Sequence, residues 1–185
     1  MSTYAAFLRG VNLGPRRRVS SAELRSQFEA LGFQSVSTFR TSGNVVFEAG
    51  REAAAKLTDR IEKALAESLG YDVAIFLRTA GQIREIATHE PFAPALVSAS
   101  KGKLQVMILS AKPAARARNE VLAWGTDEDR LAFGDRELYW LPSGGTQDST
   151  FDVRAAEQLL GPVTMRTRGT IEQLAAKYFA GSRRQ

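Results

Sequence analysis

An α+β fold made of two tandem β-α-β-β-α-β repeats is the class this sequence predicts, and three observations carry it. Short apolar strands alternate with helices whose apolar residues recur every three or four positions. The order of these elements is the same in the two halves of the 185-residue chain. Two strand-to-helix junctions also echo each other. RTAGQIREIA, from Arg78, lines up with RTRGTIEQLA, from Arg166, at Arg, Thr, Gly, Ile and Ala. We read the echo as an internal duplication, against chance similarity of two junctions.

The elements follow in order. TYAAFLR, residues 3–9, is a short apolar strand bounded by Gly10. After the arginine-rich stretch comes a helix, because Ser20 and Glu23 have capping-box spacing and Leu24, Phe28 and Leu31 share one face. Gly32 stands where a helix terminates in a left-handed residue. SVSTFR and NVVFEA flank the tight TSG of residues 41–43, a hairpin signal. Leu57, Ile61, Leu65 and Leu69 then mark a second helix ending at Gly70, DVAIFLR is the fourth strand, and GQIREIATH adds a further helix. The second half repeats this with the strand KLQVMILS and the helix KPAARARNEVLAW. A hairpin turns at Gly134 and Asp135, and a helix follows that Ser149 or Thr150 should cap. The strand VTMR and a closing helix from Thr170 complete it. This order is the ferredoxin-like, or split βαβ, pattern. The expected division is residues 1–88, a linker at 89–102 marked by Pro91 and Pro94, and residues 103–185, with the two repeats packed together.

Composition excludes several function classes. Apolar residues are 44% of the chain, enough for a core, yet no run approaches the roughly 20 uninterrupted apolar residues of a membrane helix. The start, MSTYAAFLRG, lacks the pattern of a secretory signal. There is no cysteine, which excludes disulfides, thiolate catalysis and cysteine–metal sites. A cytoplasmic protein is the expectation. Twenty-five basic against twenty acidic residues leave a net charge of +5, compatible with an anionic partner.

Topology tells which loops meet. In a β-α-β-β-α-β unit the first two strands run parallel with the third between them. The loop after strand one and the hairpin between strands two and three therefore share one end of the sheet. Arg9, Gly10, Asn12, Gly14, Arg40, Ser42, Gly43 and Asn44 form the candidate ligand site there, at the start of a helix whose amide groups and dipole favour an anion. Arg16, Arg17 and Arg18 make a basic patch beside it. In the second half, the turn SGGTQDST and the junction RTRGT should form a second polar cluster of Ser143, Gly144, Gly145, Ser149 and Arg166.

Sharper chemistry finds little support. Neither glycine-rich loop is a phosphate-binding P-loop, since both lack its lysine. RTSGNVVF matches the end of the RNA-recognition signature but places Ser42 and Asn44 where its stacking aromatics belong. Nucleic-acid binding would thus be electrostatic, through the arginine triplet. The sole histidine, His89, reads as a local hydrogen-bonding residue, and no metal site or cofactor is indicated. Ser42 has no identifiable base, so no catalytic constellation is visible.

YAAFLRGVNLG, followed by ELRSQFEALGFQSVSTFRTSGNVVFEA, resembles the opening of a bacterial family designated domain of unknown function 1697. The likeness continues through Pro91 and Phe92, LYWLPSGGTQDS and TMRTRGT. It implies two ferredoxin-like halves and no activity. Its signature positions fall on Arg9, Gly10, Asn12, Gly14, Ser42, Gly43, Asn44, Thr164, Arg166 and Thr170. Pro15 departs from the family's second glycine, and Thr167, Arg168 and Gly169 replace Asn-Trp-Asn. The functional expectation is binding of a small anion, a nucleotide or phosphorylated metabolite, at the two-loop site. An electrostatic nucleic-acid binder and an enzyme acting on a phosphorylated substrate are the alternatives.

Overall fold

A computed structural model describes residues 1–12, 18–40 and 43–180. The first repeat runs β1 (Ser2–Arg9), α1 (Ser21–Ala30), β2 (Gln34–Thr38), β3 (Asn44–Ala49), α2 (Ala54–Leu69), β4 (Ala74–Thr79) and α3 (Ala80–Thr88). After α4 (Pro94–Ala99) the second runs β5 (Gln105–Leu109), α5 (Ala115–Leu122), β6 (Asp129–Phe133), β7 (Glu137–Pro142), α6 (Val153–Leu160), β8 (Val163–Thr167) and α7 (Arg168–Tyr178). Each repeat forms a four-stranded antiparallel sheet, ordered β2-β3-β1-β4 and β6-β7-β5-β8. These are the two ferredoxin-like sheets that the element order implies.

The chain divides into two compact units. Unit 1 is Met1–Ile83 with the residues from Leu174 onward, and unit 2 is Arg84–Gln173. The boundaries fall inside α3 and α7. Residues 89–102, expected as a linker, lie in unit 2 and contain α4. Ser100 donates its hydroxyl to the Pro142 carbonyl, and the Lys101 amide bonds Ser143 O at 3.1 Å.

Strand alternation sorts each sheet's residues. In unit 1, Tyr4, Ala6, Leu8, Val45 and Phe47 pack under Leu24, Phe28, Leu57, Ile61 and Leu65 of the helices. The opposite face carries Ala5, Phe7, Val46, Phe76 and Arg78, all buried too. In unit 2, Met107, Leu109, Leu138 and Trp140 meet Val121, Ala156 and Leu160.

The capping chemistry is largely as the sequence indicates. Ser20 Oγ accepts from the Glu23 amide at 3.1 Å, and Glu23 Oε2 accepts from the Ser20 amide at 2.7 Å. The cap of α6 is a correction. Asp152, not Ser149 or Thr150, holds the first turn, accepting from Arg154 N and Ala155 N at 2.9 Å each. Ser149 is unavailable because its hydroxyl donates to Asp129 Oδ1 at 2.6 Å while accepting from Phe151 N.

The repeated junctions now have a physical content. Thr79 and Gln82 cap α3 reciprocally, and Thr167 Oγ1 accepts from Thr170 N at 3.3 Å at the start of α7. Arg78 and Arg166 sit one residue earlier, opposite Ala5 and Val106 of their central strands. Each donates Nη1 to the carbonyl of its predecessor, at 2.9 and 2.8 Å.

Candidate functional site

In unit 1 the loop after β1 and the β2–β3 hairpin do meet. The Leu8 amide donates to Gly43 O at 2.7 Å, so the hairpin tip is tied to the end of β1. Asn44 closes the hairpin itself: its buried side-chain amide donates to Phe39 O at 2.9 Å, and Phe39 N donates to Asn44 O at 2.9 Å. Across the loop, Asn12 adopts a left-handed conformation with φ of 57° and accepts from Val19 N at 3.0 Å. Both asparagines therefore shape the loops.

Between the loops opens a cleft of about 600 Å³, lined among the described residues by Asn12, Arg18, Arg40, Gly43 and the first turn of α1. Two arginines and one carboxylate are among its lining residues. Glu23 lines the cleft, and its bonds from the Ser20 backbone and side chain hold its carboxyl below the usual range. Arg40, with φ of 57°, places its guanidinium 5.7 Å from the Phe39 ring centroid. Lys177, near the C-terminal end of α7, brings its ammonium to 6.0 Å from the same ring. Nothing in the local sequence around Lys177 signals this approach, which exists only through the fold.

Arg9 is not among the lining residues. It follows Ala5 and Phe7 along the face of β1 away from α1, paired with Ala74, while the cleft lies on the helix side. Gly10 follows it, and a Cβ built there would lie 3.3 Å from the Asp72 carbonyl oxygen. Arg18 and Arg40 are the arginines that line the cleft among the described residues. Gly14, Arg16, Arg17 and Ser42 lie outside the described residues.

The second cluster is not brought together. Arg166 pairs with Val106 on the sheet face away from α5 and α6, where it donates to Thr164 Oγ1 at 3.0 Å. Burial lowers its guanidinium to about 10, which leaves it cationic at neutral pH. Ser149 is bonded to Asp129 on the helix side, beside Trp140. Ser143 is a hinge of backbone bonds, donating to Glu128 O and accepting from Lys101 N, and an Asp148–Gly145 bond closes the turn beyond Gly144. Alternation along the strands separates residues that loop order alone had grouped. His89 is exposed, with its ring 4.9 Å from that of Tyr139. Among the described residues no group of three metal-ligating side chains occurs, and no helix is long and apolar enough to cross a membrane.

The family model described as "Protein of unknown function (DUF1697)" matches residues 1–139, well over half of the chain. The chain belongs to this family. The match covers the β1 loop, the hairpin and the cleft between them, and ends within β7. No curated protein matches the sequence. A solved structure, that of the conserved bacterial protein SP0830 from Streptococcus pneumoniae, is similar along 96% of this chain and 99% of its own. The TM-score is 0.69 at 20% identity, a likeness of fold. In unit 1, Gly43 and Asn44 build the hairpin, and Asn12 braces the opposing loop.

Proposed function

We propose that this DUF1697 protein binds a small anion, a nucleotide or phosphorylated metabolite, in the cleft between the β1 loop and the β2–β3 hairpin. The observation that carries the reading is the lining: Arg18, Arg40 and the first turn of α1 around a space of about 600 Å³. That volume is within the usual range of ligand clefts. The first amides of a helix have no intrahelical partner and point along its positive end. In α1 the Glu23 amide is taken by Ser20 Oγ, which leaves that of Ser21, a lining residue, for a phosphate oxygen. Arg40 supplies planar donors suited to the same group.

The test is thermal unfolding across nucleotides, sugar phosphates, and short RNA and DNA, each at low and high salt. A ligand that binds only the folded state raises the midpoint by mass action. The reading expects a shift with a small phosphate compound that survives salt and is lost in Arg40→Ala. A shift confined to nucleic acid and abolished by salt would replace it with the electrostatic alternative. No shift with any phosphate compound would overturn it.

A further inference from the structure

A second pocket, wholly within unit 2, has the opposite chemistry. It encloses about 240 Å³ and is lined by Trp124, Asp129, Thr150, Phe151, Asp152 and Ala155. Asp129 is only 3% exposed. Its Oδ1 accepts from Trp140 Nε1 at 2.8 Å and from Ser149 Oγ at 2.6 Å, which fixes the carboxylate plane. Among the described residues no donor is bonded to its Oδ2, and that atom is not sealed away from solvent. Asp152 uses Oδ1 to cap α6 and likewise keeps its second oxygen. No lysine, arginine or histidine among the described residues pairs with either carboxylate. The walls are aromatic: Trp124 on one side, and Phe151 with its ring 5.2 Å from that of Trp140.

Unit 1 shows what such a corner accepts. At the corresponding connection, Phe33 lies three residues after α1 and Trp124 two after α5, while Glu52 stands just before the cap of α2 and Asp152 is the cap of α6. There the chain supplies its own cation. Arg60 lies with Cζ 4.8 Å from the Phe33 ring centroid and Nη2 3.3 Å from Glu52 Oε2. Arg60 is the seventh residue of α2, and the seventh of α6 is Leu159. Unit 2 thus has an aromatic face and two carboxylates, and no arginine at that helix position. Aromatic faces attract cations, and a guanidinium meets a carboxylate through parallel donors. At about 30 Å³ per water, the pocket has room for a guanidinium on a short stem. It is roomy for a bare metal ion held by two carboxylates.

We propose that this corner binds a guanidinium group, with Asp129 as its charge partner, Asp152 adding charge, and Trp124 and Phe151 as its walls. Both tryptophans of the chain, Trp124 and Trp140, are at this corner, so intrinsic fluorescence reports on it alone. The full chain is titrated with methylguanidinium chloride against salt-matched sodium chloride and against urea, the neutral planar isostere. The expected result is a saturable change with methylguanidinium only, weakened at least tenfold in Asp129→Asn and several-fold in Asp152→Asn. Asparagine keeps an acceptor for Trp140 and keeps the α6 cap. An arginine-containing peptide that binds more tightly than methylguanidinium identifies the source as a protein side chain. Equal binding identifies a free small molecule, and either upholds the assignment. A non-saturating response, an equal response to urea, or unchanged affinity in Asp129→Asn overturns it. Should Asp129→Asn fail to fold by circular dichroism, unchanged affinity in Asp152→Asn and Trp124→Leu overturns it instead.

Discussion

Replacing Gly43 by alanine tests the junction on which the anion cleft depends. Gly43 has φ of +73°, and a Cβ built there lies 2.7 Å from Val11 Cγ2 and 3.0 Å from Leu8 Cβ. The left-handed backbone alone costs an alanine about 1–2 kcal/mol. Crowding Val11 and Leu8, both buried, adds about 1–3 kcal/mol. The sum, roughly 2–5 kcal/mol, is a large share of a typical domain's stability of about 5–15 kcal/mol. Gly32→Ala is the matched control. It has φ of +80° with nothing within 4 Å of the added carbon, so it should lose only the backbone part. The unfolded-chain contribution of glycine to alanine is common to both and cancels in the comparison. Urea unfolding is followed by far-UV circular dichroism, since both tryptophans lie in unit 2. Gly43→Ala should unfold at clearly lower urea than Gly32→Ala. Equal midpoints would refute the close packing of the hairpin tip on the β1 loop.

Further outcomes are expected. Ser20→Ala removes the α1 cap and should cost about 1 kcal/mol in urea unfolding, and lowering the pH should act on the same box. Glu23 has its folded pKa below the ordinary 4.5, so its contribution is present above that value and lost as pH falls through the lower one; a Glu23→Gln chain should lose less stability over that acid range. That Glu23→Gln variant should also bind phosphate compounds several-fold more tightly at neutral pH, because a carboxylate leaves the cleft while the capping geometry stays; weaker binding would count against an anion there. Asp129→Ala leaves the buried Trp140 Nε1 without its acceptor and should cost about 1–3 kcal/mol by urea unfolding, whereas Asp129→Asn should lose much less.

The architecture was legible because local signals agreed with one another. The period of the apolar residues set helices against strands, and the S-x-x-E box fixed the start of α1. The order of elements fixed the sheet connections, and through them the meeting of the β1 loop with the hairpin. The cap of α6 was misplaced for a reason outside the local sequence: Ser149 is recruited by Asp129, twenty residues away. Any of Ser149, Thr150 and Asp152 has the chemistry to cap, and only the competing bond selects among them.

The candidate sites divide in the same way. Which loops share an end of a sheet follows from connectivity, a property of order along the chain. Which side chains from those loops face the same space depends on strand parity and register: Asn12, Arg40 and Gly43 line one cleft and Arg9 does not. Arg9 and Arg166 lie on the sheet faces away from the helices, while Ser149 lies on the helix side. Lys177 comes to the Phe39 ring, and Trp124 to the pocket of Asp129, without any sequence mark. The two repeats and the loops that meet follow from the residues alone, because periodicity and element order are encoded along the chain. The lining of the cleft and the acidic aromatic corner were set only once the chain had folded. Long-range hydrogen bonds and the two-residue alternation of strands choose, from many chemically suitable side chains, the few that converge.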